Sequence, residues 1–128
     1  MNFGFSEEQE QLREFVRQFL ENYSAETTVR ELMETESGYD AATWSMMAEQ
    51  LGLQSLIIPE EYGGMGLDYT TFASIFEELS KGFMSISGAI GSHHILTYVL
   101  THSWTDELMR QYLPVLAIGK KRGGLALS

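Results

Sequence analysis

The stretch that most constrains this chain is residues 51–81, LGLQSLIIPEEYGGMGLDYTTFASIFEELSK, which sets a helix stop, an apolar run, a proline break, a glycine turn and a new helix in one fixed order. Gly52 stands where a helix ending at Leu51 needs a left-handed residue, and Leu53 is then placed to fold back on Met47 or Ala48. Leu56, Ile57 and Ile58 read as a short buried run. Pro59 ends it by removing a backbone donor, and Gly63, Gly64 and Gly66 give the backbone freedom of a tight turn. Asp68 is placed to start the following helix.

The flanks extend the helical pattern in both directions. Ser6 followed by Gln9 is a capping box, and Leu12, Phe15, Val16, Phe19, Leu20 and Tyr23 recur at helical spacing behind it. Glu10, Arg13, Glu14, Arg17 and Glu21 fall on the opposite face, which is expected to meet water. A weaker helix holds Val29, Leu32 and Met33, and Asp40 caps another in which Trp44, Met47, Ala48 and Leu51 share a stripe. After Asp68, the inner stripe is Phe72, Ile75, Phe76 and Leu79, with Gly82 as the stop. Residues 84–100 are apolar around most of the helical circumference and carry small residues such as Ser87, Gly88 and Gly91, so this helix is expected to be buried and approached closely by a backbone or a ligand. Thr105, Asp106 and Glu107 open a last helix with Leu108, Tyr112, Leu113 and Leu116 inward and Pro114 kinking or restarting it. The glycines at 119, 123 and 124 end helicity, and Leu125, Ala126 and Leu127 look like the start of an extended segment.

With 128 residues, 44% of them hydrophobic, the chain fits one domain able to bury roughly two-thirds of its unfolded surface. Eighteen acidic residues against eight basic ones give a formal charge of -10, which disfavours nucleic acid and anionic membranes as partners. No cysteine is present, so thiol nucleophiles, thiolate metal sites and disulfides are excluded, in agreement with a reducing cytoplasm. No run of ~18 apolar residues spans a bilayer, and the first residues lack the basic and apolar parts of a secretory signal.

Three candidate sites dissolve on inspection of spacing. His93 and His94 are adjacent and so point ~100° apart on a helix, while His102 lies two turns further on, so no pair shares one ion and no metal site is expected. The glycines at 63–66 are flanked by Glu60 and Glu61, which repel phosphate, and no Gly-Lys-Ser or Gly-Lys-Thr follows. Glu60 and Glu61 themselves sit beside a turn with nothing apolar to raise a carboxyl pKa, so no catalytic residue is assigned.

The run GLQSLIIPEEYGGMG and the terminal GGLALS resemble the amino-terminal domain of acyl-CoA dehydrogenases, where a similar run joins two helices and a similar strand opens the flavin-lining segment. The resemblance extends over essentially the whole chain. It implies an all-α fold, an orthogonal helical bundle of about five to six helices over residues 1–122, with residues 123–128 beginning the strand of a central β domain. It further implies FAD as cofactor of the complete enzyme, with the Leu127 backbone and the Ser128 hydroxyl at the polar edge of the flavin ring and Leu125 near the acyl thioester. Ser87, Gly91 and Ile95 would line the tunnel for the acyl-CoA substrate, and Gly91 would leave it open.

The family removes hydrogen across the α and β carbons of an acyl-CoA thioester, and its catalytic carboxylate belongs to a later domain. The resemblance therefore implies a flavoprotein oxidoreductase of fatty acid metabolism, a homo-oligomer when complete, to which this chain supplies one wall of the acyl pocket and no base of its own. Two alternatives stay open at this stage. One is a non-catalytic helical subunit or interaction module of a heteromeric flavoenzyme. The other is a domain of a related flavin monooxygenase or oxidase.

Overall fold

A computed structural model describes residues 4–126. These residues form six helices, α1 (Glu7–Tyr23), α2 (Glu26–Met33), α3 (Ala41–Leu51), α4 (Tyr69–Gly82), α5 (Met84–Ser103) and α6 (Asp106–Ala117), with a 3-10 turn at Glu60–Tyr62 and no strand among the described residues. The all-α bundle is the one expected. None of its helices is long and apolar enough to cross a membrane.

Each expected cap is in place because a side chain takes over donors that the first helical turn leaves unpaired. The Ser6 hydroxyl accepts from the Gln9 amide at 3.2 Å while the Ser6 amide donates to Gln9 Oε1 at 2.9 Å. Asp40 accepts from the Thr43 amide at 2.7 Å, and Asp68 from the amides of Thr70 and Thr71 at 2.9 and 3.0 Å. Gly52 closes α3 at φ 61°, with its amide on the Ala48 carbonyl and that of Leu53 on Met47.

The elbow between α3 and α4 is fastened to itself. Backbone amides of Met65, Gly66 and Leu67 donate to the carbonyls of Ser55, Ile58 and Leu56 at 2.8 to 3.0 Å. That closeness explains Gly64, where a Cβ would stand 1.9 Å from the Ile58 carbonyl oxygen. Leu56 and Ile58 are buried as expected, whereas Ile57 is only half-buried and turns toward the surface.

α1 lies along α4, α4 along α5, and α5 against α6. The main core joins Val16, Phe19 and Leu20 of α1 to Trp44 and Met47 of α3, Ile75 and Leu79 of α4, and Ile86 and Ile90 of α5. A second cluster sets Leu113 and Leu116 of α6 against Leu100, Ile58 and Tyr62.

Four expectations need correction. Arg13 is buried instead of facing water, because the polar face of α4 stands opposite it: its guanidinium meets the buried Glu78 carboxylate at 2.5 Å. Phe15 is 56% exposed, since it sits at the margin of a stripe whose centre is Val16 and Leu20. Met33 and Leu108 also stay exposed, Met33 because nothing of α2 is fully buried. Finally, α6 runs through Pro114 without a break, and the ladder resumes with Ile118 donating to the Pro114 carbonyl at 3.3 Å. Arg110, whose carbonyl loses its donor to the proline ring, is exposed, so water can replace that bond.

Candidate functional site

An open apolar groove of about 550 Å³ lies between α4 and α5. Tyr69, Phe72 and Phe76 recur every three or four residues on α4 and supply one wall; Gly91, His94, Ile95 and Tyr98 do the same on α5, and Ile57 from the elbow borders both. Phe72 and Phe76 were expected in the inner stripe beside Ile75 and Leu79. Instead they are only half-buried, because the residue they meet across the seam is Gly91, which has no side chain to fill the space. A Cβ there would stand 3.1 Å from Phe76 Cζ.

Aromatic contacts hold the walls in shape. Phe72 stacks on Phe76 with ring centroids 5.7 Å apart, and it meets the edge of His94 at 5.0 Å. Tyr69 and Tyr98 meet edge to face at 5.8 Å across the groove, and Tyr98 stacks on His102 at 4.1 Å. Offset and edge-on pairs of this kind add to the area they bury.

The histidines of α5 are held by the elbow. Nε2 of His93 is 3.1 Å from the Gln54 carbonyl oxygen and Nε2 of His94 is 2.7 Å from that of Leu53. Burial lowers both imidazoles, that of His94 to about 4, with the carbonyl contact opposing it. Each ring therefore stays neutral and pins α5 to the segment that follows α3.

Of the residues singled out from the sequence, Gly91 and Ile95 border the groove together, and Ile95 is 51% exposed. Ser87, one turn earlier, is buried with its hydroxyl donating to the Met84 carbonyl at 2.8 Å, and it is not among the bordering residues. Leu125 is exposed. The segment carrying it crosses α5 close by: a Cβ on Gly123 would stand 1.8 Å from Leu96 Cδ2, and one on Gly124 3.8 Å from Ser92 Cβ. Leu127 and Ser128 lie outside the described residues.

Tyr69, Tyr98, Ile57 and His94 were not anticipated as groove residues. The i, i+3, i+7 spacing of Tyr69, Phe72 and Phe76 carried the signal, but a stripe facing a groove and a stripe facing a core have the same period.

The path of residues 119–124 is fixed by α3. The Trp44 indole nitrogen donates to the Gly119 carbonyl at 3.0 Å, and the Arg122 guanidinium lies over the rings of Tyr39 and Trp44 at 4.2 and 5.4 Å. On the far side of the bundle, Glu78 binds Arg13, Arg17 and Lys81 together, at 2.5, 3.3 and 2.8 Å.

Comparison with known proteins follows this geometry. The family described as acyl-CoA dehydrogenase, N-terminal domain, matches residues 6–120. The acyl-CoA dehydrogenase IpdE2 of Mycolicibacterium smegmatis is 43% identical over 79 residues, covering 62% of this chain and 25% of the relative. Its namesake in Mycobacterium tuberculosis is 32% identical over 121 residues, covering 94% of this chain and 37% of the relative. Among solved structures, a glutaryl-coenzyme A dehydrogenase in complex with glutaryl-CoA superposes with a TM-score of 0.77 at 25% identity, over 96% of this chain and 31% of that one. The chain thus spans about a quarter to somewhat over a third of the length of these relatives. A capped helical bundle whose elbow, groove and length of match all coincide with that domain belongs to the acyl-CoA dehydrogenase family, as its amino-terminal domain.

Proposed function

We propose that the α4–α5 groove is one wall of the acyl pocket of an FAD-dependent acyl-CoA dehydrogenase, and that residues 123–128 begin the next domain and line the flavin. The observation that supports this most is the juxtaposition of an almost wholly hydrocarbon groove at Gly91 and Ile95 with a backbone segment that crosses the same helix at Ser92 and Leu96. A fatty tail gains from such a surface at roughly 25 cal/mol per Å² of apolar area buried.

The described part of the segment suits the edge of a flavin. Its two glycines bring the backbone directly onto α5, and residues 123–126 make no hydrogen bond among the described residues, so their peptide groups are available to a polar ring edge. Leu127 and Ser128 would continue that edge, and Leu125 would lie toward the thioester. FAD, when bound, supplies the acceptor for the hydride leaving the β carbon. This chain contributes shape, exclusion of water and backbone polarity. The base that removes the α proton would come from another domain, so residues 1–128 alone are inactive. The complete protein would act on acyl-CoA as a multidomain, homo-oligomeric flavoprotein of the cytoplasm.

The test uses the purified 128-residue chain with FAD and octanoyl-CoA. Octanoyl-CoA should shift the methyl resonances of Ile57 and Ile95 without bleaching the visible flavin band. Bleaching by the isolated chain would overturn its inactivity, and unmoved methyls would overturn the pocket.

A further inference from the structure

One atom in the wall of the groove has needs the chain does not meet. His94 is 2% exposed, and its Nδ1 is buried without a hydrogen-bond partner while Nε2 faces the Leu53 carbonyl. A carbonyl oxygen only accepts, so Nε2 carries the ring proton and donates it. With the ring neutral, Nδ1 presents a bare lone pair. The surrounding groups offer it no donor: Phe72 is hydrocarbon, and His93, 5.7 Å away, has its own Nε2 on the Gln54 carbonyl, which leaves its Nδ1 a lone pair as well.

An acceptor stranded in hydrocarbon is costly, and folded proteins pair nearly all of them. His94 borders the groove, and the neighbour meeting its ring edge is the half-buried Phe72, a side chain with room to turn aside. Gly91, one turn back on the same face, leaves the approach open.

We propose that His94 Nδ1 is a recognition point of the groove that accepts a hydrogen bond from a hydroxyl on the apolar part of the ligand, so that the site favours hydroxylated tails over plain hydrocarbon ones. This rests on the groove being an acyl pocket. A site built to pair with a hydroxyl rejects the analogue lacking it, because the buried acceptor is otherwise left alone. Gln is the conservative replacement, since its amide nitrogen can serve the Leu53 carbonyl while its oxygen accepts; Phe keeps bulk and removes both roles.

The probes are cyclohexanol and methylcyclohexane, alike in shape and differing by hydroxyl for methyl, titrated into the 128-residue chain labelled with 15N-histidine. Both should move the Ile57 and Ile95 methyl resonances, and only cyclohexanol should move the His94 Nδ1 resonance. The ratio of cyclohexanol to methylcyclohexane affinity should fall roughly five- to tenfold in His94→Phe and be retained in His94→Gln. If His94→Phe does not fold, the Nδ1 resonance of the unaltered chain still decides. Methyls that respond to both probes beside an unmoved Nδ1 would overturn the recognition point and leave the pocket standing. Methyls that respond to neither would overturn the pocket itself.

Discussion

At the scale of single residues, Glu78 has the most concentrated role. Burial alone would raise its pKa, but bonds from Lys81, Arg17 and Arg13 outweigh it and hold the carboxyl at about 2, below the usual glutamate value of 4.5. The unfolded chain therefore takes up the proton first on acidification. The contribution is complete above about pH 4.5 and fades as pH falls toward 2. Glu78→Gln should cost about 3 kcal/mol, since it leaves the Arg13 charge buried without its counter-ion. Urea midpoints measured across that pH window should fall steeply for the natural chain and hardly at all for the variant. Gly91→Ala makes the opposite case. Alanine gains up to about 1 kcal/mol in a helix interior, so the variant should unfold no earlier. Yet its Cβ meets Phe76 at 3.1 Å, so octanoyl-CoA should perturb the Ile95 methyl less than before.

At the scale of elements, the ends of helices were legible in the sequence and their faces only partly so. Ser6, Asp40, Gly52 and Asp68 act through backbone groups within a few residues of themselves, and local sequence contains all of that information. What a face meets is decided by a distant partner. Arg13 reads as a solvated charge until α4 brings Glu78 to it across 65 positions of chain. Phe72 and Phe76 read as core until the bare backbone of Gly91 opposite them opens a groove, and His94 reads as a structural histidine until its second nitrogen proves unpaired. Pro114 was misjudged for a related reason: a proline breaks an isolated helix, but Leu113 and Leu116 are buried on either side of it and packing carries the helix through. Pro114→Ala should therefore stabilise the domain and raise its thermal midpoint. Loss of the capping box in Ser6→Ala should cost about 1 kcal/mol, read from the denaturation midpoint.

At the scale of the whole molecule, two opposing surfaces set how the chain behaves in solution. The formal charge of -10 keeps copies apart, while the groove displays Tyr69, Ile95 and Tyr98, all about half-exposed. Salt screens the first and leaves the second intact, the screening length falling from about 30 Å at 0.01 M to 10 Å at 0.1 M. Sedimentation of residues 1–128 should show self-association that rises with ionic strength and is reversed by octanoyl-CoA, the ligand competing for the same apolar surface. The separation of charge from groove also kept the fold class readable while leaving the site half-hidden. Cores announce themselves by period, but a cleft is an absence, created by Gly91 between walls that look like any other stripe.

The cradle of Tyr39 and Trp44 under Arg122 gives the domain a sense of direction. An indole on the third helix acts as the hinge pin for everything that leaves the bundle, gripping the Gly119 carbonyl with its nitrogen and the guanidinium with its face. Loosening that pin with Trp44→Leu would leave the cleft untouched and yet swing the outgoing strand off its bearing, so an enzyme can be mis-aimed from a position that never touches its substrate.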